Sequence, residues 1–338
     1  MENKVKQVDF FKFLKSVLPE HISLVDEIAG MLNISNDSVY RRIRGEKELS
    51  LDELKIICTT LKIPLDSFLH LQSSNLLFYS KYIKQENLDL KSYLEEMLHT
   101  FRNFLHFKER ELIYLTKDFP IYHYFMFPEI ASFKYFFWMK TYLNFAEYQK
   151  KKFSINLLLD EIKDTGMEIS RIYTDIRSVE IHNPDNILTT LRQIEYYKDS
   201  HFFESKDELE QIYESLNNMI DHMEEQATAG KKFMKNTKPH KGSADYEVYV
   251  SDFFIGDNTQ LVKLDGNIRC YKVHNGINYL TSTDKRYCDY TKKFMDTVIS
   301  KSAYISFVGE KERNRFFNMI RERINAHREN RINTLANF

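Results

Sequence analysis

Turn formers are scarce: the 338 residues include 9 glycines and 6 prolines. Antiparallel sheets need frequent tight turns and helix bundles need few, so such a chain is expected to be mainly α. Cysteine is scarcer still. Cys58, Cys270 and Cys288 lie far apart and form no CxxC pair, which excludes a disulfide framework or a thiolate zinc site and fits a reducing compartment. The chain also lacks a long apolar run. Its most apolar stretch, Phe119 to Phe145, is interrupted by Pro120, Pro128, Glu129, Lys134 and Lys140, well short of the roughly 20 residues that span a bilayer. That stretch is expected to be buried core, with no membrane crossing. The opening MENKVKQVDFFKFLKS alternates charge with apolar residues instead of forming the apolar centre of a secretion signal, so a cytoplasmic protein is expected. No charge of one sign prevails: 48 basic residues face 49 acidic ones, a net charge of −1. Any charged surface must be local.

What is present is core material, 43% hydrophobic and 14% aromatic, in a length that suits two or three domains. The first 72 residues read as short, sharply punctuated helices. After Asp9 to Leu18, an S-x-x-D start at Ser23 and Asp26 precedes Leu24, Ile28 and Leu32 on one helical face. Asn33, Ile34 and Ser35 break the pattern, and a second helix from Asn36 carries Val39 and Ile43 before Gly45 ends it. Ser50 and Glu53 open a further helix, and Pro64 a last one through Phe68 and Leu69. Residues 73–229 keep an apolar period near 3.6, as in Leu90, Leu94, Met97, Phe101 and Leu105, and read as a helical middle. Residues 230–244, with five lysines and Gly230, Pro239 and Gly242, read as an exposed linker. Residues 245–338 switch to period two, with Asp265-Gly266 and Asn275-Gly276 as hairpin turns, and predict a small α+β unit with an antiparallel sheet.

The segment VDEIAGMLNISNDSVYRRIRG, from Val25 to Gly45, has the steric pattern of two helices meeting at a tight turn. Ala29 sits at the closest approach, and Ile28, Leu32, Ile34, Val39 and Ile43 supply the shared core. Here the sequence resembles the lambda-repressor-like helix-turn-helix family of bacterial transcription regulators, over roughly Asp9 to Gln72 only. The resemblance implies a five-helix DNA-binding domain whose third helix enters the major groove, usually within a dimer on a palindromic site. It places Ser35, Asn36, Asp37, Ser38, Tyr40, Arg41 and Arg44 toward the groove. Arg42 and Lys47 become expected phosphate contacts, with Asn36 and Arg41 the first choices for reading adenine and guanine. Asn33 stands where the family usually has glycine, and asparagine is the next best residue for a left-handed backbone. Residues 1–72 carry 10 basic against 11 acidic residues, so placement, not total charge, carries this expectation.

Other constellations point to no chemistry. His99 and His106 share a helical face without a third ligand, Gly230-Lys231-Lys232 lacks the rest of a phosphate loop, and no Ser/His/Asp grouping is visible. The aromatic run from Tyr122 to Trp138 reads as core, with an apolar ligand pocket or dimer face as its alternative. The last helix, with Arg313, Arg315, Arg321, Arg323, Arg328 and Arg331, reads as a solvated face or an auxiliary DNA contact. The sequence therefore predicts a mainly α homodimeric regulator of double-stranded DNA, not an enzyme, with no cofactor and no metal. Residues 1–72 read DNA and the remainder pairs subunits. The alternative is a helical sensor of a peptide or small molecule whose DNA binding is a regulated output.

Overall fold

The computed structural model describes residues 7–19, 22–63, 65, 76–80, 90–157, 160–254 and 256–329. The chain forms two compact units, Met1–Leu77 and Phe78–Phe338. In the first, α1 (Gln7–Val17), α2 (Leu24–Leu32), α3 (Asn36–Ile43) and α4 (Leu51–Thr60) surround Phe10, Phe11, Leu14, Ile28, Val39, Ile57 and Ile63. The starts of α2, α3 and α4 follow from local chemistry. The hydroxyls of Ser23, Ser35 and Ser50 accept from the backbone N–H three residues on, and Glu53 completes a reciprocal box with Ser50. The helix expected from Pro64 through Leu69 lies outside the described residues.

The second unit overturns the expected architecture. Instead of a helical middle followed by a small antiparallel unit, one eight-stranded mixed sheet draws on residues 79–304, in the order β1-β7-β6-β5-β2-β3-β4-β8. The strands are β1 (Tyr79–Ser80), β2 (Arg110–Leu115), β3 (Arg177–His182), β4 (Tyr246–Val250), β5 (Thr259–Leu264), β6 (Asn267–His274), β7 (Asn278–Ser282) and β8 (Ala303–Tyr304). At its centre β2, β3 and β4 run parallel. The scarcity of glycine and proline does not exclude such a sheet, because parallel strands are joined by helical crossovers rather than tight turns. The antiparallel half does use them: Asp265-Gly266 and Asn275-Gly276 all have positive φ and link β5, β6 and β7 as expected.

The crossovers supply most of the helices. They are α5 (Leu90–Phe104), α6 (Ile121–Tyr124), α7 (Pro128–Phe137), α8 (Ala146–Gln149), α9 (Asp160–Thr174), α10 (Asn186–Asp199) and α11 (Lys206–Ala229). Together with α13 (Glu310–Arg328) they enclose two aromatic-rich cores on one face, and Phe119 to Phe137 lie within these. The opposite face, with Ile113, Leu115, Val179, Ile181 and Leu261, is covered by Cys288, Met295 and Val298 of α12 (Lys285–Ser300). Both edge strands are two residues long, which limits strand addition from outside.

Residues 230–244 are not wholly an exposed linker. They join α11 to β4 of the same sheet, and Lys232 and Phe233 are buried. Gly256 approaches the end of β2 so closely that a Cβ there would run into the Thr116 carbonyl, a backbone group that cannot swing aside. Gly256→Ala should therefore lower stability by about 2 kcal/mol, measured as a reduced midpoint in urea with an unchanged slope; a midpoint equal to wild type would contradict this close approach.

Candidate nucleic-acid interface

The geometry of the first unit begins at Asn33. Its φ of 51° and ψ of 50° put it in the left-handed region, and its N–H bonds back to Ala29 and Gly30 at the end of α2. The chain thus reverses in three residues, and Ile34 tucks under the pair beside Ala29. Ser35 then starts α3, its Oγ accepting from Ser38 N–H at 3.3 Å and lying 3.0 Å from Ser38 Oγ. Val39 is fully buried, and Ile43 packs on the same core. The opposite side of α3 is left to solvent.

That outward side holds most of the expected groove-facing residues. Ser35, Asn36, Asp37, Tyr40, Arg41, Arg44 and Lys47 are exposed, and Ser38 is half-buried. Tyr40 is 48% exposed, a large apolar surface for a monomeric helix face to present. Asn36 donates from Nδ2 to Asp26 Oδ1 of α2 at 2.9 Å, which aims the amide while leaving its Oδ1 and second N–H uncommitted. Arg44 gives Glu46 two bonds, and these, with the attraction of the opposite charges, leave its guanidinium above its ordinary pKa and the Glu46 carboxyl below its own.

Arg42 departs from expectation. It is 2% exposed and turned inward, so it is a framework residue and not a phosphate contact. Its Nε donates to Glu53 Oε2 at 3.1 Å, its Nη2 to Glu53 Oε1 at 2.5 Å and its Nη1 to the Ser38 carbonyl at 3.0 Å. The reason is periodicity: Arg42 follows Val39 by three residues and so lies on the core-facing side, whereas Arg41 and Arg44 flank it outward. Glu53 also accepts from Ser50 N–H, so one carboxylate both starts α4 and holds α3. Gln7 of α1 closes the arrangement, donating to the carbonyls of Arg42 (2.7 Å) and Lys47 (2.8 Å) and accepting from Leu49 N–H (2.8 Å). Sequence reasoning missed Gln7 and Glu53 as determinants of α3's pose. The i, i+3 box of Ser50 with Glu53 was legible, but its partner 11 residues away was not.

No protein-family model, curated protein or solved structure matches the chain.

The second unit contains a polar cluster that sequence reasoning also missed. Glu180, on the helix-facing side of β3, is 1% exposed and accepts from His182 Nε2 (2.8 Å), Tyr246 OH (2.7 Å), Tyr173 OH and His123 Nε2 (3.1 Å). Burial would raise its pKa, but the two histidines override that and hold it well below the usual carboxylate range. Lys232 donates to Ser178 Oγ at 2.6 Å and lies over the Tyr173 ring, and burial lowers its pKa well below the ordinary ammonium value. Neither the cavity of about 20 Å³ beside Tyr135 nor the open cleft at Asp221 reaches these groups. The arrangement joins β3 and β4 to α6, α9 and the segment after α11, with Glu180, His123, His182 and Lys232 all buried. Along the strand, only the alternation of Ser178, Glu180 and His182 hinted at a polar inner row.

The arginines of α13 are likewise engaged within this unit. Arg313 is buried on the Ile305 carbonyl (2.9 Å), Arg321 pairs with Asp221 and Glu224, Arg323 with Asp185 and Arg328 with Glu210. Of the residues expected on a solvated face, Arg315 is exposed and Arg331 lies outside the described residues.

Arg42→Ala leaves the Glu53 carboxylate without its guanidinium and should destabilise the first unit by about 3 kcal/mol. Arg42→Met with Glu53→Leu should recover much of that, read by hydrogen exchange of α3 and α4 amides; no difference between the single and double variants would refute the pairing. Because Glu53 is held below its unfolded pKa by the Arg42 bonds, that contribution is complete above the ordinary glutamate pKa and is lost as pH falls through the depressed value. Protection of α3 should hold down to about pH 5 and then fall; in Glu53→Gln, protection should be lower at pH 7 and lack this acid step.

Proposed function

We propose that the first unit reads double-stranded DNA with the outward face of α3, and that the protein is a sequence-specific transcriptional regulator and not an enzyme. One observation carries this. A helix of eight residues, locked from behind by Arg42, Glu53 and Gln7, presents Asn36, Tyr40, Arg41 and Arg44 together on a face that none of the described residues of its unit covers. Asn and Arg are the side chains whose paired donors and acceptors match adenine and guanine edges, and Lys47 and Ser35 stand at the ends of the helix where backbone phosphates would lie. The resemblance to lambda-repressor-like regulators supports the same pose. A single short helix buries too little surface for tight discrimination, so a homodimer on two half-sites is part of the proposal, with the second unit responsible for pairing. A cytoplasmic location follows from such a role.

The test is selection of bound duplexes from a random pool by the full-length protein at fixed salt, followed by gel shifts. Arg41→Ala should cost about 1–3 kcal/mol on the selected site and relax preference at one base pair in each half-site. Lys47→Ala should weaken selected and scrambled duplexes alike. Failure to enrich any sequence would end the proposal, and equal losses for Arg41→Ala on both duplexes would remove Arg41 from base reading.

A further inference from the structure

What occupies Arg44 is an acidic residue two positions along the chain. Its Nε donates to Glu46 Oε1 at 2.6 Å and its Nη2 to Oε2 at 3.0 Å, while Arg41 Nε stands 3.9 Å from the same carboxylate. Side chains two residues apart on a helix point away from each other, so this pair exists because the helix has ended. Gly45, at φ +77°, turns the chain back, and Glu46 N–H bonds to the Arg41 carbonyl at 2.8 Å. Glu46 is thereby folded over the last turn of α3, between the two arginines. With Arg42 matched internally by Glu53, the remaining charges from Ser35 to Lys47 are Arg41, Arg44 and Lys47 against Asp37 and Glu46, a net of 3 − 2 = +1.

We propose that Glu46 is an internal stand-in for DNA, a carboxylate that holds the arginine edge a phosphate or guanine would take and that must be displaced before Arg44 can contact DNA. This rests on the DNA-reading function above. The competitor is tethered, so it acts at any protein concentration. While Arg44 stays on it, that residue neutralises no phosphate and releases no condensed counterion, which lowers affinity for arbitrary duplexes and flattens the response to salt. Glu48, exposed and in no ion pair among the described residues, provides the comparison: it has the same charge nearby but holds no arginine.

The experiment uses the full-length protein, a duplex selected by wild type and a scrambled duplex of equal length, with Kd measured across a salt series. Glu46→Gln should tighten binding to both duplexes by about tenfold and steepen the log–log salt slope by about 0.9, one additional phosphate contact. Glu48→Gln should stay within about twofold of wild type. In an Arg44→Gln background, Glu46→Gln should do no more than Glu48→Gln does. Glu46→Ala provides a second removal of the carboxylate, and circular dichroism melts establish that each variant is folded. Binding by wild type with unchanged affinity and slope in Glu46→Gln would overturn the inference alone, as would an equal effect from Glu48→Gln or one that survives Arg44→Gln. If no variant and no wild-type protein binds any duplex, the DNA-reading function fails and this inference fails with it.

Discussion

The forked pair between Arg42 and Glu53 is the constraint on which the rest of the first unit depends. It fixes α3 at a set rotation and joins its last turn to the first turn of α4. Rotation is what matters: with Arg42 pinned inward beside Val39, helical geometry leaves Asn36, Tyr40, Arg41 and Arg44 facing outward. The pair gains less than its Coulomb attraction suggests, because Arg42 is stripped of water while Glu53 stays partly exposed, and hydrogen bonds to Ser38 and Ser50 offset that cost. Its value is in specifying one orientation, since any other would bury a charge alone. Gln7 adds the same discipline at that end, tying α3 and the turn after it to α1.

The second unit uses the same economy around Glu180. A carboxylate in the centre of a sheet is costly unless every acceptor site is filled, and here two tyrosines and two histidines fill them from β3, β4, α6 and α9. These donors come from residues 123–246, so the cluster can form only after the parallel strands and their crossovers are in place. It therefore specifies the register of helices on sheet more than it adds net stability. The arginines of α13, directed to Asp221, Glu224, Asp185 and Glu210, close the same helical layer from outside.

The helix pair was legible because its signals are local. Ser23, Ser35 and Ser50 cap, Asn33 reverses the chain, Ile28, Val39 and Ile43 keep the helical period, and each lies within a few residues of what it organises. The antiparallel hairpins were legible for the same reason, through Asp265-Gly266 and Asn275-Gly276. The parallel strands were not. RELIYL is buried on both faces and so shows no alternation, while RSVEIH alternates but buries both rows, Val179 and Ile181 under α12 and Ser178, Glu180 and His182 on the other face. Surrounded by long stretches of period 3.6, both merged into the expected helical middle.

The sequence by itself determined the serine-capped starts of the three helices after α1, the apolar row of Ile28, Val39 and Ile43 between them, and that Asn36, Arg41 and Arg44 share a face. Those follow from spacing and capping, interactions that close within one or two turns. Tertiary structure alone decided that Arg42 is framework and not contact, that Glu46 lies across Arg44 and Arg41, and that strands 66 residues apart in sequence pair in parallel at the centre of one sheet. Each depends on a partner that local periodicity does not select, and a charge shows its role only when the group neutralising it is known.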